Sequence, residues 1–351
     1  MIGENPLGLS GVEFVELTAP ETGWLGELLF AFGFSRTMRH ETRNIDLYEQ
    51  GEMRFLVNRE GTGHAGEFGR SHGPSISAMG WRFHAADNAA KVAVARGAEV
   101  LWSAEYTRST RAVPAIVGIG GSLIYMIDDA LPVGDKRIYE QMGFVALEKP
   151  DRTPAKGFLR IDHLTNNVER GTMERWASFY KKVFGFTEVR YFDIRGVKTG
   201  LTSYALRSPC GSFCIPINEA DEAKSQINEY LEEYKGPGVQ HLAFLTDDIL
   251  ASLRALDGTP IRFLDIDDDY YREVFGRVPN VAESHEEIQK RQVLVDGDEQ
   301  GYLLQIFTKN LIGPIFIEII QRKNHLSFGE GNFTALFRSI ERDQARRGLF
   351  G

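Results

Sequence analysis

Gly80-Trp81-Arg82-Phe83-His84-Ala85-Ala86-Asp87 and His241-Leu242-Ala243-Phe244-Leu245-Thr246-Asp247-Asp248 read as one passage written twice. Each is an apolar strand running into an Asp that can N-cap the helix behind it. The likeness extends in both directions. Upstream, Ala31-Phe32-Gly33-Phe34-Ser35 and Val183-Phe184-Gly185-Phe186-Thr187 each close an apolar helix. Downstream, helices expected from about Asn88 to Ala98 and from Ile249 to Asp257 stop near Gly, and Gly121-Ser122-Leu123-Ile124-Tyr125-Met126 parallels Gly313-Pro314-Ile315-Phe316-Ile317-Glu318. Repeats of roughly 150 residues are domains, since solenoid periods lie at about 20 to 50. Each copy reads as β-α-β-β-β twice, so the expected class is α+β with two similar domains, 1–147 and 155–351. The polar, proline-bearing stretch Glu148-Lys149-Pro150-Asp151-Arg152-Thr153-Pro154 suits the linker between them.

Three apolar segments of the second copy each carry one metal-type ligand: Ile161-Asp162-His163-Leu164-Thr165, Val239-Gln240-His241-Leu242-Ala243 and Ile315-Phe316-Ile317-Glu318-Ile319-Ile320. An ionised carboxylate among such neighbours must neutralise, pair or hold a cation. Period-2 alternation puts Glu318 on the face of Phe316, and His163 and His241 on the faces of Thr165 and Ala243. Taken singly, each residue has an ordinary reading: Glu318 paired with an Arg such as Arg322, the histidines hydrogen-bonded in the core. In the repeat register, however, the first copy has Phe14, Gly80 and Met126 at these positions. The strands form without ligands there, so His163, His241 and Glu318 answer to chemistry. Two histidines and one carboxylate leave one face of an octahedral metal open, which suits non-haem Fe(II) and an oxygenase.

Composition excludes other classes. At 42% hydrophobic and 25% charged the chain can bury a core. No apolar run approaches the ~20 residues of a membrane span, and Met1-Ile2-Gly3-Glu4-Asn5-Pro6 lacks signal-peptide features, so no membrane partner and a cytoplasmic location are expected. A net charge of −9 with pI near 5.5 argues against a nucleic-acid partner. Two cysteines, Cys210 and Cys214, four apart on an extended segment, are packing residues and not a disulfide. The segment from Asp265 to Arg291, dense in charge, reads as a solvated excursion.

Asp162-His163-Leu164-Thr165-Asn166-Asn167-Val168, Gly238-Val239-Gln240-His241-Leu242-Ala243, Phe316-Ile317-Glu318-Ile319-Ile320-Gln321-Arg322 and Phe328-Gly329-Glu330-Gly331-Asn332-Phe333 together resemble the 4-hydroxyphenylpyruvate dioxygenase family of the vicinal oxygen chelate superfamily. The resemblance covers nearly the whole chain. It implies two vicinal-oxygen-chelate domains, each a tandem of βαβββ modules in an open barrel-like sheet, the first without metal. It also implies Fe(II) on His163, His241 and Glu318 as the catalytic centre of the second. Ser203, Pro216, Asn218, Gln226, Gln240, Gln305, Phe307, Phe316, Asn332 and Phe333 fall at substrate-binding positions, with Phe307 and Phe333 as the pair that stacks an aromatic ring. Polar groups among them would meet a phenol hydroxyl in an otherwise apolar pocket. Phe333, Leu336, Phe337 and Ile340 form one helical face, and the resemblance makes that helix a lid over the site, with Gly329 and Gly331 as hinge. The implied reaction takes 4-hydroxyphenylpyruvate and O2 to homogentisate and CO2 in tyrosine and phenylalanine catabolism, in a homo-oligomer. Hydroxymandelate synthase, an extradiol ring-cleaving dioxygenase and a metal-free ligand-sequestering protein are the rival readings. Bulky Phe307 and rigid Pro216 favour the dioxygenase over the synthase.

Overall fold

The computed structural model describes residues 4–108, 111–195, 200–220 and 225–346; the end of the C-terminal tail lies outside them. In the first half, β1 (Leu9–Thr18), α1 (Gly23–Ala31), β2 (Ser35–His40), β3 (Ile45–Gln50) and β4 (Met53–Asn58) make one βαβββ module. Helix α2 (Gly63–His72) leads to the next, β5 (Ser75–Phe83), α3 (Ala86–Ala95), β6 (Val100–Arg108), β7 (Arg111–Val117) and β8 (Leu123–Asp128), followed by α4 (Lys136–Gln141) and β9 (Phe144–Asp151). The second half repeats the order with β10 (Phe158–Val168), α5 (Met173–Phe184), β11 (Thr187–Arg195), β12 (Gly200–Arg207), β13 (Cys214–Ala220) and α6 (Gln226–Tyr234). Its last module is β14 (Gly238–Thr246), α7 (Ile249–Ala255), α8 (Asp268–Arg277), α9 (His285–Lys290), β15 (Leu294–Gly297), β16 (Tyr302–Phe307) and β17 (Phe316–Lys323), closed by α10 (Phe333–Arg346). Among the described residues no helix is long and apolar enough to cross a membrane.

The strands form two curled open sheets, ordered β6-β7-β8-β5-β1-β4-β3-β2-β9 and β11-β12-β13-β10-β14-β17-β16-β15. In each, the first strands of the two modules meet antiparallel at the middle, β1 with β5 and β10 with β14. The outer faces share one core across the halves: Trp81 lies 5.1 Å from Phe184 and 5.1 Å from Phe213, and Phe34 lies 5.9 Å from Phe244, centroid to centroid. Side chains of this size stabilise by about 1.5 to 3 kcal/mol each when buried. The halves also grip each other reciprocally at glycines with positive φ. A Cβ on Gly120 would lie 2.1 Å from the Pro237 carbonyl oxygen, and one on Gly313 would lie 3.0 Å from that of Pro74.

The interiors of the two sheets differ. Phe14, Ala78, Tyr106 and Tyr125 fill the first, and Ile138 and Tyr139 of α4 pack against them. Strand pairing then fixes the internal correspondence. Phe14 faces Gly80 and Gly80 faces Tyr125; His163 faces Ala243 and Ala243 faces Glu318. The counterparts of the three ligands are therefore Phe14, Ala78 and Tyr125. The sequence register is right for Phe14 but two residues off at Gly80 and one off at Met126, which packs in the core on the opposite face. Gly80 is glycine because the Phe14 ring takes its side-chain space: a Cβ there would lie 2.3 Å from Phe14 Cε1.

Helix capping supports the corrected register. Asp248 caps α7 by accepting from the Ala251 N–H at 2.9 Å, as expected. Its counterpart is not Asp87, which sits inside the first turn of α3, but Ala85 in the left-handed region at φ 54°. In both halves the first helical N–H is met from the last strand of the module: Ala86 N donates to Asp128 Oδ1 and Ile249 N to Gln321 Oε1, both at 2.7 Å. Asp128 and Gln321 stand at the same step beyond Tyr125 and Glu318.

Two further expectations change. The proposed linker begins as edge strand, where Asp151 faces Arg36 in β2 and accepts its Nη2 at 2.6 Å. The charged excursion is two docked helices, because Tyr271, Val274, Val278 and Ile288 form a buried stripe among its acids and arginines.

Candidate active site

In the second sheet the interior stays open, and three adjacent strands aim one ligand each into it. Strand β14 lies between β10 and β17, antiparallel to the first and parallel to the second. His163 Nε2 lies 3.0 Å and His241 Nε2 3.4 Å from Glu318 Oε2, and the two Nε2 atoms are 3.3 Å apart. His163 and Glu318 are each 3% exposed and His241 9%. Each Nδ1 turns away to an acceptor, His163 to Asp162 Oδ2 at 2.8 Å and His241 to Gln240 Oε1 at 3.0 Å. With Nδ1–H so held, both Nε2 lone pairs face the cluster. Donors bound at ~2.1 Å and at right angles around one ion lie about 3.0 Å apart, close to the spacing here. The donor set therefore fits a divalent transition metal with open positions.

Electrostatics agree. Burial raises the Glu318 carboxyl, but His163 and His241 outweigh it and bring it down to about 2. Burial lowers His163, yet the charge of Glu318 and the hydrogen bond to Asp162 carry it up to about 9. Burial keeps His241 below its ordinary value despite Glu318. Glu318 thus favours its ionised form and His163 its protonated form, so positive charge is favoured where a cation would sit. Arg322 is not the partner of Glu318: it clamps Asp162, Nε to Oδ1 and Nη2 to Oδ2, both at 2.8 Å.

A β-bulge sets the next feature. Thr165 pairs with His241 and Asn166 with Val239, so Gln240 is skipped in the ladder and lines the cavity beside His241. Counted with the open solvent at its mouth, the cavity spans about 660 Å³. Ser203, Pro216, Asn218, Gln226, Gln240, Gln305, Phe307, Phe316 and Phe333 all line it with the three ligands. Ser203 faces Asn218 across β12 and β13, with Pro216 on the same face as Asn218. Gln305 is 1% exposed, and its Oε1 has no hydrogen-bond partner among the described residues. Phe316 stacks on His241 at 4.8 Å and 20°, and Phe333 packs edge-on to Phe192 at 5.3 Å.

Asn332 does not line the cavity. It ends the turn before α10 and faces α8, where its Oδ1 accepts from Tyr270 Oη at 2.6 Å and Arg277 Nη2 at 3.4 Å. Thr165, Phe192, Leu201 and Phe328 also line it, beyond the positions that the resemblance implies. Thr165 alternates with His163 and could have been read; Phe192 and Phe328 carry no comparable signal. Leu336, Phe337 and Ile340 of the expected helical stripe close the cavity from above. Ion pairs of Arg342 with Asp267 and of Arg346 with Asp265 (2.7 Å), and a hydrogen bond from Gln344 Nε2 to Glu229 Oε2 (2.8 Å), hold α10 there.

Family models match both halves: "Hydroxyphenylpyruvate dioxygenase, HPPD, N-terminal" over residues 3–145 and "Glyoxalase/Bleomycin resistance protein/Dioxygenase superfamily" over 160–277. The chain is 55% identical over 347 residues to Protein MelA of Shewanella colwelliana, covering 99% of each. It is 44% identical over 351 residues to 4-hydroxyphenylpyruvate dioxygenase of Pseudomonas aeruginosa, covering 98% of this chain and 97% of that one. Among solved structures, a mutant of 4-hydroxymandelate synthase from Streptomyces coelicolor superposes with a TM-score of 0.82 at 26% identity, covering 96% of this chain and 100% of that one. With full-length relatives at this identity, two modules per half and a His–His–Glu cluster in the second sheet, the chain belongs to the 4-hydroxyphenylpyruvate dioxygenase family, a metal-dependent dioxygenase group of the glyoxalase superfamily.

Proposed function

We propose that this chain converts 4-hydroxyphenylpyruvate and O2 to homogentisate and CO2, with Fe(II) on His163, His241 and Glu318. The catalytic unit is 155–351, and 1–147 is its metal-free scaffold. The observation that carries the reading is the junction of the three-residue cluster with a helix-covered cavity lined by aromatic rings and uncharged polar side chains. When bound, Fe(II) supplies the redox chemistry with oxygen and a seat for the 2-oxo acid group of the substrate.

The chain's own residues hold and orient the substrate. Phe307, Phe316 and Phe333 offer ring faces and edges to an aromatic substrate. Ser203, Asn218, Gln226, Gln240 and Gln305 offer hydrogen bonds to its hydroxyl and acid groups; Gln305 Oε1 is a buried acceptor left for a donor that the described residues do not provide. Pro216 stiffens the wall beside Asn218. Helix α10 keeps water out and the ring in register, which matters because a 1 Å misplacement can cost ~100-fold in rate.

Oxidation at the benzylic carbon is the second reading, favoured by the likeness to 4-hydroxymandelate synthase. Product analysis by mass spectrometry after adding 4-hydroxyphenylpyruvate, Fe(II) and oxygen separates the two. Homogentisate is expected; hydroxymandelate supports the second reading, and no turnover with metal bound overturns both.

A further inference from the structure

Arg322 occupies an unusual place: it is nearly buried, sits on the same strand as Glu318, and spends its guanidinium on one carboxylate and two backbone carbonyls. Nε and Nη2 take the two oxygens of Asp162, whose Oδ2 also accepts from His163 Nδ1 at 2.8 Å. Nη1 donates to the carbonyls of His325 at 3.1 Å and Ser327 at 2.6 Å. The residue after Ser327 is Phe328, whose ring packs edge-on against His163 at 5.7 Å and 74°. Phe328 also lines the cavity, and the chain runs on from it through Gly329 into α10.

We infer that Arg322 is a positioning residue that fixes the His163 ring from two sides, through Asp162 on its nitrogen and through Ser327 and Phe328 on its edge. It thereby ties the ligand to the segment that leads into the covering helix. The inference rests on the reading that His163, His241 and Glu318 bind metal. A guanidinium can do this because its planar fork serves a carboxylate bidentately while its remaining N–H groups reach elsewhere. An ammonium in the same place keeps the charge beside Asp162 but cannot serve both partners. Outer partners of metal-binding histidines are commonly worth ~10- to 100-fold in affinity.

The test uses the full-length protein and Co(II), whose visible absorption reports on its ligands without turnover. Wild type, Arg322→Lys and Asp162→Asn are titrated with Co(II), and amide hydrogen exchange is followed over residues 325–333. Arg322→Lys retains the positive charge and so avoids leaving Asp162 alone in the core. It should bind Co(II) ~10- to 100-fold more weakly and exchange faster over 325–333. Asp162→Asn should weaken Co(II) by a similar factor with exchange over 325–333 near wild type, because its Arg322 keeps the two carbonyls. If Arg322→Lys binds Co(II) within about twofold of wild type, or weakens it with no change in exchange, the inference is overturned. If wild type takes up no Co(II), the metal reading falls first and the inference with it.

Discussion

Phe307 stands directly opposite Glu318 in the β16–β17 ladder, and both side chains face the cavity. Opposed residues on one face have Cβ atoms about 4.5 to 5.5 Å apart, so one pair of strands sets both a candidate metal ligand and the aromatic wall beside it. The first sheet shows what that position does without chemistry. There Tyr125 takes the place of Glu318 and simply packs with Phe14 and Tyr106.

Replacing Glu318 by Ala should therefore leave the fold intact and remove the metal. The two histidines lose the carboxylate that draws them together, and the strand loses a buried charge that they satisfy. Metal content after dialysis should fall to background and turnover with it, while the circular dichroism spectrum stays that of wild type. Full activity in Glu318→Ala would remove the three-ligand site.

The metal-free cluster predicts how pH acts on the protein. His163, raised to about 9, stabilises the empty fold fully below its unfolded value near 6.5, and that contribution is lost as pH rises through 9. Glu318, lowered to about 2, contributes above its unfolded value near 4.5, and its share is lost as pH falls towards 2. A divalent metal must displace the His163 proton, so its apparent affinity should rise by about tenfold per unit between pH 7 and 9. Calorimetry in two buffers of different ionisation enthalpy should count close to one proton released at pH 7. No release would show that His163 is neutral before metal arrives.

The ion pairs of α10 lie at the surface and should matter for motion more than for stability. Arg342 with Asp267 and Arg346 with Asp265 are part-exposed, a setting worth about 0 to 1 kcal/mol. Asp265→Asn combined with Asp267→Asn should leave the melting temperature within a few degrees of wild type. Exchange along α10 should quicken, and the effect should shrink at high salt, which already screens the pairs. Unchanged exchange at low salt would mean that Phe337 and its neighbours, with the Gln344–Glu229 hydrogen bond, hold the helix without these pairs.

The sequence carries the repeat and the three candidate ligands because each is written in a local pattern, whereas most of the cavity is legible only through the family resemblance. His163, His241 and Glu318 stand out as polar residues in apolar strands, and the module order follows from strand and helix periods. What it does not carry is register between the copies. Gly80 aligns with His241 by eye only because nothing in the string reveals that the Phe14 ring fills the space of its side chain, or that Asp128 and not Asp87 serves α3. Asn332 shares this limit: the resemblance implies a pocket residue, but its side chain faces Tyr270 of a helix masked by charges in the sequence, and packing makes it a brace. Arg322 was legible as a partner for a buried acid, but which acid depended on strands far apart in the chain.

The place of oxidation on the substrate should depend on Phe307. Its ring lies edge-on to His241 at 6.3 Å and to Phe316 at 6.2 Å, so it fixes a corner between the ligand cluster and the aromatic wall. Phe307→Ile removes an aromatic partner, at about 0.5 to 1.5 kcal/mol of ring contact, and opens space on one side of the cavity. A substrate ring should then shift by about the size of the missing atoms, and displacements near 1 Å can cost ~100-fold in a positioned step. Homogentisate formation should fall more than substrate consumption, with benzylic product appearing in the difference and KM rising. Mass spectrometry of the products beside oxygen uptake measures both quantities. Wild-type rate with homogentisate alone would show that Phe307 does not place the ring, and the choice between ring and benzylic oxidation would then lie with other residues of the cavity.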